Sequence, residues 1–218
     1  MSEKRTPLVS PLRDLVSHEE WDRLTAHRWQ TYRPGATLLR QGDMGSHVVA
    51  LESGLVRVVR VDRGGRQRLL AFRGPGDILG EMALQCGVSR SASVLAMTQC
   101  RAAIVVAEDF RRLLRDYPLA ERIAVMTAHR LREQVEVHDG AVHERLAMAL
   151  LRLVEVAGGQ HSFSLTREQL AQHINVGRKA VSKALECLGP DKVKAGKSWI
   201  EVTGVEGLRE TVAAYVSV

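Results

Sequence analysis

Residues 76–94, GDILGEMALQCGVSRSASV, combine residue types that could bind a charged ligand. A glycine-rich turn leads into Gly80 and Glu81, and Arg90 and Ser91 follow Glu81 by nine and ten residues. Free backbone amides after such a turn form an anion site, and an arginine can make a bidentate contact with a phosphate. The plainer interpretation is a surface loop in which Glu81 and Arg90 form an ion pair.

Glu81 needs a partner other than the phosphate, because a carboxylate beside a phosphate repels it. Acidic residues in other nucleotide sites accept a hydrogen bond from a ribose hydroxyl. One phosphate and one free ribose hydroxyl, held close together inside a barrel, describe a cyclic nucleotide. The segment therefore predicts a cyclic-nucleotide site.

The elements around this segment are short. From Tyr32 to Val106 the chain alternates short apolar-rich runs with glycine turns, and the sequence Arg63-Gly64-Gly65-Arg66 is typical of a hairpin. This pattern predicts a small antiparallel barrel or sandwich. Before it, residues 11–30 predict a short helix with Ser17 as its N-cap.

After Val106 the periodicity becomes helical. One helix ends at Pro118, and residues 119–138 predict a longer one. Along this longer helix, small and apolar residues recur at a 4-3-4-3 spacing that is typical of a two-helix coiled coil: Ala124, Ala128, Leu131, Val135 and His138. The spacing favours a dimer seam over a helix packed on its own barrel. Asp139-Gly140 predicts a hinge.

The C-terminal part has the pattern of a winged helix-turn-helix. Thr166 and Gln169 are placed as a capping box, and Asn175 lies where a tight turn needs positive φ. A second helix begins at Arg178, and KVKAGKSWIEV then alternates around a turn as a two-stranded wing would.

The basic residues concentrate in this part. The net charge is +6, and five of the six lysines lie within residues 179–197. The first turn and a half of the second helix would enter the major groove with Arg178, Lys179, Ser182 and Lys183. Contacts with the sugar-phosphate backbone are expected from Thr166, Arg167, Lys194 and Lys197. The alternative is a structural helical hairpin with a polar outer face.

Two sets of motifs carry a family resemblance. Gly80-Glu81-Met82-Ala83-Leu84 followed by Arg90-Ser91-Ala92 resembles the phosphate-binding cassette of cyclic-nucleotide-binding domains. Together with RPGATLLRQGD, ESGLVRVVR and the winged helix-turn-helix, it makes the chain resemble the Crp-Fnr transcription regulators over roughly residues 15–210. The resemblance implies an α+β protein with an antiparallel β-roll or jelly-roll sensor (1–118), a dimerisation helix (119–138) and a winged helix-turn-helix domain (139–218).

The resemblance also implies roles for individual residues. Glu81 would bind the ribose 2′-hydroxyl, and Arg90 and Ser91 would hold the cyclic phosphate. The complete ligand-binding set would be Gly80, Glu81, Met82, Ala83, Arg90, Ser91 and Gln134. The implied effector is cAMP, ahead of cGMP, with no cofactor. The implied partners are double-stranded DNA, a second copy of the chain and RNA polymerase.

The sequence departs from the best-known relatives at two points. The spacing from Glu81 to Arg90 is one residue shorter than in the catabolite activator and resembles that of eukaryotic kinase regulatory domains. The recognition helix reads Arg178-Lys179-x-x-x-Lys183 where Arg-Glu-x-x-x-Arg is common. Because the acidic acceptor for cytosine N4 is lost, we expect a different DNA half-site.

Other function classes fit less well. Cys86, Cys100 and Cys187 lie far apart and lack the spacing of an iron-sulfur cluster, so a regulator of this family that senses redox state or a gas stays as the alternative. A cyclic-nucleotide-binding module without gene regulation is a second alternative. No catalytic motif or membrane-spanning run is present, which predicts a cytoplasmic protein that is not an enzyme and binds no membrane.

Overall fold

The computed structural model describes residues 10–136 and 140–216, and its N-terminal part is a roll of two antiparallel sheets. Its strands are β1 (Arg28–Tyr32), β2 (Thr37–Leu39), β3 (His47–Ser53), β4 (Val56–Val61), β5 (Gln67–Arg73), β6 (Ile78–Leu79), β7 (Ser93–Ala96) and β8 (Cys100–Val106). One sheet has the strand order β1-β8-β3-β6 and the other β2-β7-β4-β5. The predicted antiparallel roll is therefore confirmed.

Helices flank and follow the roll. They are α1 (Leu12–Leu15), α2 (His18–Thr25), α3 (Glu81–Cys86), α4 (Ala107–Asp116), α5 (Leu119–Glu136), α6 (Val142–Val156), α7 (Arg167–His173), α8 (Arg178–Leu188) and α9 (Val205–Val216). No helix in the described part of the chain is long and apolar enough to span a membrane.

The helix predicted over residues 11–30 is only partly correct. Ser17 does cap a helix, because its hydroxyl accepts a hydrogen bond from the Glu20 amide, but that helix ends at Thr25. Residues 28–32 instead form β1, which pairs antiparallel with β8. The edge of β8 provides the hydrogen-bond partners of these residues, and the local sequence pattern does not reveal this pairing.

Two apolar cores hold the roll together. The core between the sheets includes Leu39, Val49, Leu79 and Val94. The core outside the first sheet packs α2, α4 and α5 against β3 and β8 and includes the fully buried Phe110. The strand-like alternation of apolar residues therefore serves both faces of the first sheet.

Helix α5 divides its apolar residues between two faces. Ile123 and Met126 are fully buried against the roll. The stripe predicted as a dimer seam points elsewhere, and its Leu131 and Val135 are 63% and 64% exposed. Within the described residues, the stripe thus takes no part in the core of its own chain. His138 of this seam, the helix end at 138 and Asp139 of the predicted hinge lie outside the described residues.

In the hairpin β4–β5, an irregularity in pairing changes the side of the sheet to which successive β5 side chains point. Val58 pairs with Ala71 and Val59 with Leu69, so Leu70 is an extra residue in β5. Ala71 consequently faces the interior side of the roll, whereas Leu69 belongs to the core shared with the C-terminal part. The turn lies at Gly64 and Gly65, as predicted.

The C-terminal part is a helix-turn-helix with a wing. Asn175 has φ +52° in the turn between α7 and α8, as expected. The wing consists of β10 (Val193–Ala195), its turn and β11 (Ile200–Val202), and β11 also pairs with β9 (Ser162–Phe163). The wing was predicted with two strands, and the third strand was not foreseen.

The two parts pack directly on each other. Helix α7 lies against β5, where the His173 ring meets the Phe72 ring edge-on with centroids 5.1 Å apart. Gly74 approaches α6 so closely that a Cβ atom there would lie 2.1 Å from the carbonyl oxygen of Val156. Any side chain at this position would therefore separate the parts.

Candidate functional site

A glycine turn positions the candidate ligand site. The turn between β5 and β6 is fastened by Asp77, whose Oδ2 accepts a hydrogen bond from the Gly74 amide at 3.1 Å. Gly76 and Gly80 have φ of +88° and +90°, values that glycine adopts without strain. Gly80 is also the N-cap residue of α3, so the turn delivers the helix and its first residue, Glu81, to one side of the roll.

Gly80 lies directly against Arg90. A Cβ atom on Gly80 would be 2.2 Å from Nη1 of Arg90, so only glycine leaves room for the guanidinium. Arg90 itself is 5% exposed, and its backbone is bonded to the turn at Gly42 and Asp43. The sequence spacing between Gly80 and Arg90 thus becomes a contact in space.

The Arg90 guanidinium is only partly satisfied. Nη2 donates a hydrogen bond to the carbonyl oxygen of His47 at 2.7 Å. Nη1 is buried and has no hydrogen-bond partner among the described residues. Burial lowers the pKa of Arg90, while Asp43 and Glu81 act to raise it. A buried cation with a free donor has a strong tendency to bind an anion.

Glu81 forms an ion pair with a different arginine from the one that the plainer interpretation named. Its Oε1 accepts from Nη1 of Arg130 on α5 at 2.8 Å. Nη2 of Arg130 donates to Asp77 Oδ1 at 2.8 Å and to the carbonyl of Ile78 at 2.9 Å. Burial acts to lower the pKa of Arg130, but the carboxylates of Glu81 and Asp77 raise it above its ordinary value. A carboxylate has two acceptor oxygens, and the hydrogen bond from Arg130 engages only Oε1 of Glu81.

These groups surround one cavity of about 290 Å³. That volume lies near the lower end of the roughly 300–1,000 Å³ of small-molecule sites. Apolar walls come from both sheets, through Leu39, Leu79 and Val94. Every residue predicted to bind ligand lines this cavity, and these residues are Gly80, Glu81, Met82, Ala83, Arg90, Ser91 and Gln134.

The sequence did not reveal three further lining residues. Thr127, Leu131 and Arg130 reach the cavity from α5, and only the packing of that helix on the roll brings them there. Arg130 is one of 31 basic residues and has no distinguishing neighbours in the sequence. Asp77, an acidic residue within an apolar and glycine-rich segment, was a weak signal that a cation approaches this turn.

The polar face of α8 is exposed, as a recognition helix requires. Arg178, Lys179 and Lys183 are exposed, and Ser182 is partly buried with its hydroxyl 3.4 Å from the carbonyl of Arg178. Thr166 caps α7 in a reciprocal capping box with Gln169, as predicted. Lys194 and Lys197 are exposed on the wing.

Arg167 differs from the other predicted DNA contacts. Its Nη1 donates to the carbonyl of Gly196 at 3.0 Å, and its Nη2 donates to the carbonyl of Ala195 at 3.1 Å. Both acceptors lie in the wing. The Arg167 guanidinium therefore binds carbonyl groups of its own chain, whereas Lys194 and Lys197 are exposed to solvent on the wing.

Comparisons with known proteins match both halves. Residues 29–117 match the model of a cyclic nucleotide-binding domain, and residues 144–211 match that of a Crp-like helix-turn-helix domain. The chain is 34% identical to the Cyclic AMP receptor protein of Thermus thermophilus, covering 92% of this chain and 96% of that protein. The chain belongs to the Crp-Fnr family of transcription regulators.

Two further similarities agree with this assignment. A CRP-like cAMP-activated global transcriptional regulator of Mycobacterium tuberculosis is 29% identical, over 78% of each chain. The solved structure of a CRP/FNR-family transcriptional regulator from Thermus thermophilus superimposes with a TM-score of 0.71 at 25% identity, covering 85% of this chain and 98% of that one. The α+β fold with an N-terminal sensor and a C-terminal helix-turn-helix is therefore confirmed.

In this Crp-Fnr regulator a buried ion network joins the cavity to the DNA-binding part. Arg73, which lines the cavity, places Nη2 2.9 Å from Oε2 of Glu133 on α5. Nε of Arg152 on α6 lies 3.1 Å from Oε1 of the same carboxylate. Burial acts to raise the pKa of Glu133, but the two arginines lower it below its ordinary value. Neither the sequence nor the family resemblance predicted this network.

The cysteines of this regulator are unpaired with one another. Cys100 is buried in the roll, and burial raises the pKa of its thiol. Cys86 and Cys187 are exposed. Within residues 10–136 and 140–216 no group of three or more His, Cys, Asp or Glu side chains is arranged to hold a metal ion.

Proposed function

We propose that this protein is a homodimeric transcription regulator that binds a cyclic nucleotide, cAMP first among candidates, and in response binds a near-palindromic operator. The observation that carries the proposal is the Nη1 group of Arg90, a buried donor that faces Gly80 at the wall of the cavity and has no hydrogen-bond partner in the described part of the chain. A cyclic phosphate placed here would supply the missing acceptor. Ser91, at the same wall, would donate to the same phosphate.

The ribose end of the site is supported by the Glu81–Arg130 ion pair. This pair fixes the carboxylate beside the cavity, so that a ribose 2′-hydroxyl can donate to Oε2 without any rearrangement of Oε1. Preorganised acceptors of this kind increase affinity because little order has to be created on binding. The same arrangement disfavours a deoxyribose ligand, which would leave a buried oxygen without a donor.

The base would lie towards α5. Thr127, Leu131 and Gln134 line this end of the cavity. Their neighbour Val135 belongs to the exposed apolar stripe of the same helix, so a second copy packed on the stripe would stand next to the bound base. Ligand binding and dimer geometry would therefore affect each other.

The buried network centred on Glu133 offers a route to the DNA-binding part. Its three members come from the cavity wall, from α5 and from α6. A ligand that shifts α5 must move Glu133 relative to Arg73 or Arg152, and α6 begins the DNA-binding part. We therefore assign the network the role of coupling ligand binding to an equilibrium between two orientations of the recognition helices.

The exposed basic face of α8 supports binding to DNA as a dimer. Two copies related by a twofold axis would place their recognition helices in successive major grooves about 34 Å apart. The expected operator is near-palindromic for that reason. The residue after Arg178 is Lys179, where the family commonly has glutamate. The lack of this acidic acceptor supports a half-site different from that of the catabolite activator.

Calorimetric titration of nucleotide-stripped protein with cAMP and with cGMP tests the effector site. We expect saturable binding that Arg90→Ala weakens at least 100-fold, since two charge-assisted hydrogen bonds contribute about 1.5–3 kcal/mol each. Arg111→Ala removes an exposed arginine of α4 and is the matched control, with unchanged affinity.

The outcomes separate the proposed function from its alternatives. Absence of heat from folded protein with either nucleotide would contradict the effector site and favour a regulator with another signal. Selection of bound duplexes from a random DNA pool, with and without the nucleotide, tests the operator. Recovery of no duplex under either condition would identify a nucleotide-binding module without gene regulation.

A further inference from the structure

The wing of the helix-turn-helix contains few interactions of its own. Strands β10 and β11 have three residues each, and β10 pairs only with β11 among the described strands. The turn between them is closed by one main-chain hydrogen bond, from the Gly196 amide to the carbonyl of Trp199. A ribbon this short is marginally stable without support from outside.

Arg167 supplies such support from another element. It is the first residue of α7 and lies 28 and 29 residues before the two carbonyls that it binds, those of Ala195 and Gly196. A cation at the first position of a helix is electrostatically unfavourable, because the helix dipole is positive there. The two wing carbonyls compensate, since they present the negative ends of peptide dipoles to the guanidinium.

Trp199 holds the same turn from the side. A Cβ atom on Gly196 would lie 2.1 Å from Nε1 of the Trp199 indole, so the ring packs against this glycine. Arg167, Ser182, Lys194 and Trp199 line one cleft between α8 and the wing. The Arg167 guanidinium thus ties the wing turn to α7, and the Trp199 indole packs on the same turn at Gly196.

We infer that Arg167 is a positioning residue, which acts on DNA through the wing by fixing Lys194 and Lys197 at the height of the phosphate backbone. This inference rests on the proposed DNA-binding function and replaces the direct phosphate contact expected from the sequence. A planar guanidinium can bridge two adjacent carbonyls, and a lysine ammonium cannot reproduce that geometry. A positive charge alone at position 167 is therefore insufficient to bridge the two wing carbonyls.

A double-mutant cycle tests the inference on a duplex selected by the wild-type protein from a random pool. The single change is Arg167→Gln, and the background is the double variant Lys194→Gln, Lys197→Gln. We expect Arg167→Gln to weaken binding in the wild-type chain and to change the dissociation constant less than about twofold in the lysine-free background, since contacting groups are non-additive. Arg178→Gln is the control, with the same fold-change in both backgrounds.

The salt dependence gives a second readout. If Arg167 acts through the wing, Arg167→Gln lowers the slope of log K against log salt by more than the roughly 0.9 of a single phosphate contact. Arg167→Lys then loses affinity nearly as far as Arg167→Gln. An additive cycle, a slope change of about 0.9 in both backgrounds, or full activity of Arg167→Lys would each overturn the inference in favour of a direct contact.

Hydrogen exchange separates failure of the inference from failure of the proposed function. The Gly196 amide should exchange at least tenfold faster in Arg167→Gln than in wild type, in protein without DNA. Unchanged exchange would overturn the inference even if DNA binding is lost. Faster exchange in a protein that selects no duplex would confirm that Arg167 stabilises the wing turn. It would contradict the DNA-binding function on which the role of Arg167 depends.

Discussion

The charged residues around the cavity and those on the exposed face of α8 lie in opposite environments. Around the cavity, Glu81, Arg130 and Asp77 are largely buried and bonded to one another. On α8, Arg178, Lys179 and Lys183 are exposed. Removing a charge from water costs several kcal/mol per ion unless partners compensate. Changes in the cavity should therefore affect folding and function together, whereas changes on α8 should affect function alone.

The strongest test of this contrast is Glu133→Gln. The variant leaves Arg73 and Arg152 buried without their shared carboxylate. Breaking a buried ion network by removing one partner costs about 3–5 kcal/mol. We expect the free energy of unfolding, measured by urea denaturation, to fall by that amount.

Glu155→Gln is the matched control for this variant. Glu155 also pairs with Arg152, but its side chain is 41% exposed. Exposed ion pairs contribute about 0–1 kcal/mol, so the control should lose little stability. Equal losses in both variants would show that burial does not set the contribution of these charges.

A smaller loss is expected from Gly80→Ala. The new Cβ atom would meet Arg90 Nη1, and the residue has φ +90°. Overpacking costs about 1–3 kcal/mol and left-handed strain about 1–2 kcal/mol, so we expect a loss of about 2–5 kcal/mol, with a midpoint below that for Glu133→Gln. The displaced guanidinium should also weaken nucleotide binding in the calorimeter.

Gly35→Ala separates the two causes. Gly35 has φ +84°, and an added Cβ atom would meet nothing within 4 Å. This variant should show the backbone strain alone, at about 1–2 kcal/mol, and bind nucleotide as the wild type does. If it also loses affinity, the collision at Arg90 is not the cause.

Acid should weaken the same buried network. The pKa of Glu133 is held below its ordinary value in the folded protein, so the folded state binds this proton less readily than the unfolded chain. The stabilisation is complete above the pKa of an unfolded glutamate, about 4.3, and is lost as the pH falls towards the folded pKa. Urea denaturation between pH 6 and pH 3 should show this loss in wild type, with a shallower pH dependence in Glu133→Gln. Superimposable pH profiles would argue that Glu133 does not titrate in this range.

The smallest effect on stability is expected at the DNA-binding surface. Lys179→Gln should change the free energy of unfolding by less than about 0.5 kcal/mol. If Lys179 contacts a phosphate, the slope of log K against log salt should fall by about 0.9. Arg111→Gln, remote on α4, should alter neither quantity. A base contact by Lys179 would instead change which duplexes are selected.

Local sequence patterns predicted the parts of the site that lie close together in the chain. The glycine turn, Glu81 and Arg90 form one continuous segment, and turn chemistry together with charge types indicated an anion site there. The capping box at Thr166 and the positive φ of Asn175 were likewise predicted, since each depends on only a few neighbouring residues.

Contacts between distant segments could not be predicted in this way. Arg130 lies 49 residues from Glu81, and Arg167 lies 29 residues from Gly196. Which of many arginines reaches a given acceptor depends on how the helices pack, and periodicity does not encode that. The strand β1 was missed for the same reason, because its hydrogen bonds come from β8, about seventy residues later.

The extra residue in β5 restricts how this part of the chain can change in length. Because of Leu70, Ala71 lines the cavity while Leu69 and Phe72 pack on the DNA-binding part. Deleting Leu70 would restore regular alternation, and the residues on one side of the deletion would turn to the wrong face. Insertions and deletions should therefore be tolerated at the hairpin tip around Gly64 and Gly65 but eliminated by selection between Leu69 and Arg73. A single-residue gap at this place in a relative would mark a protein in which the sensor and the DNA-binding part no longer share this strand.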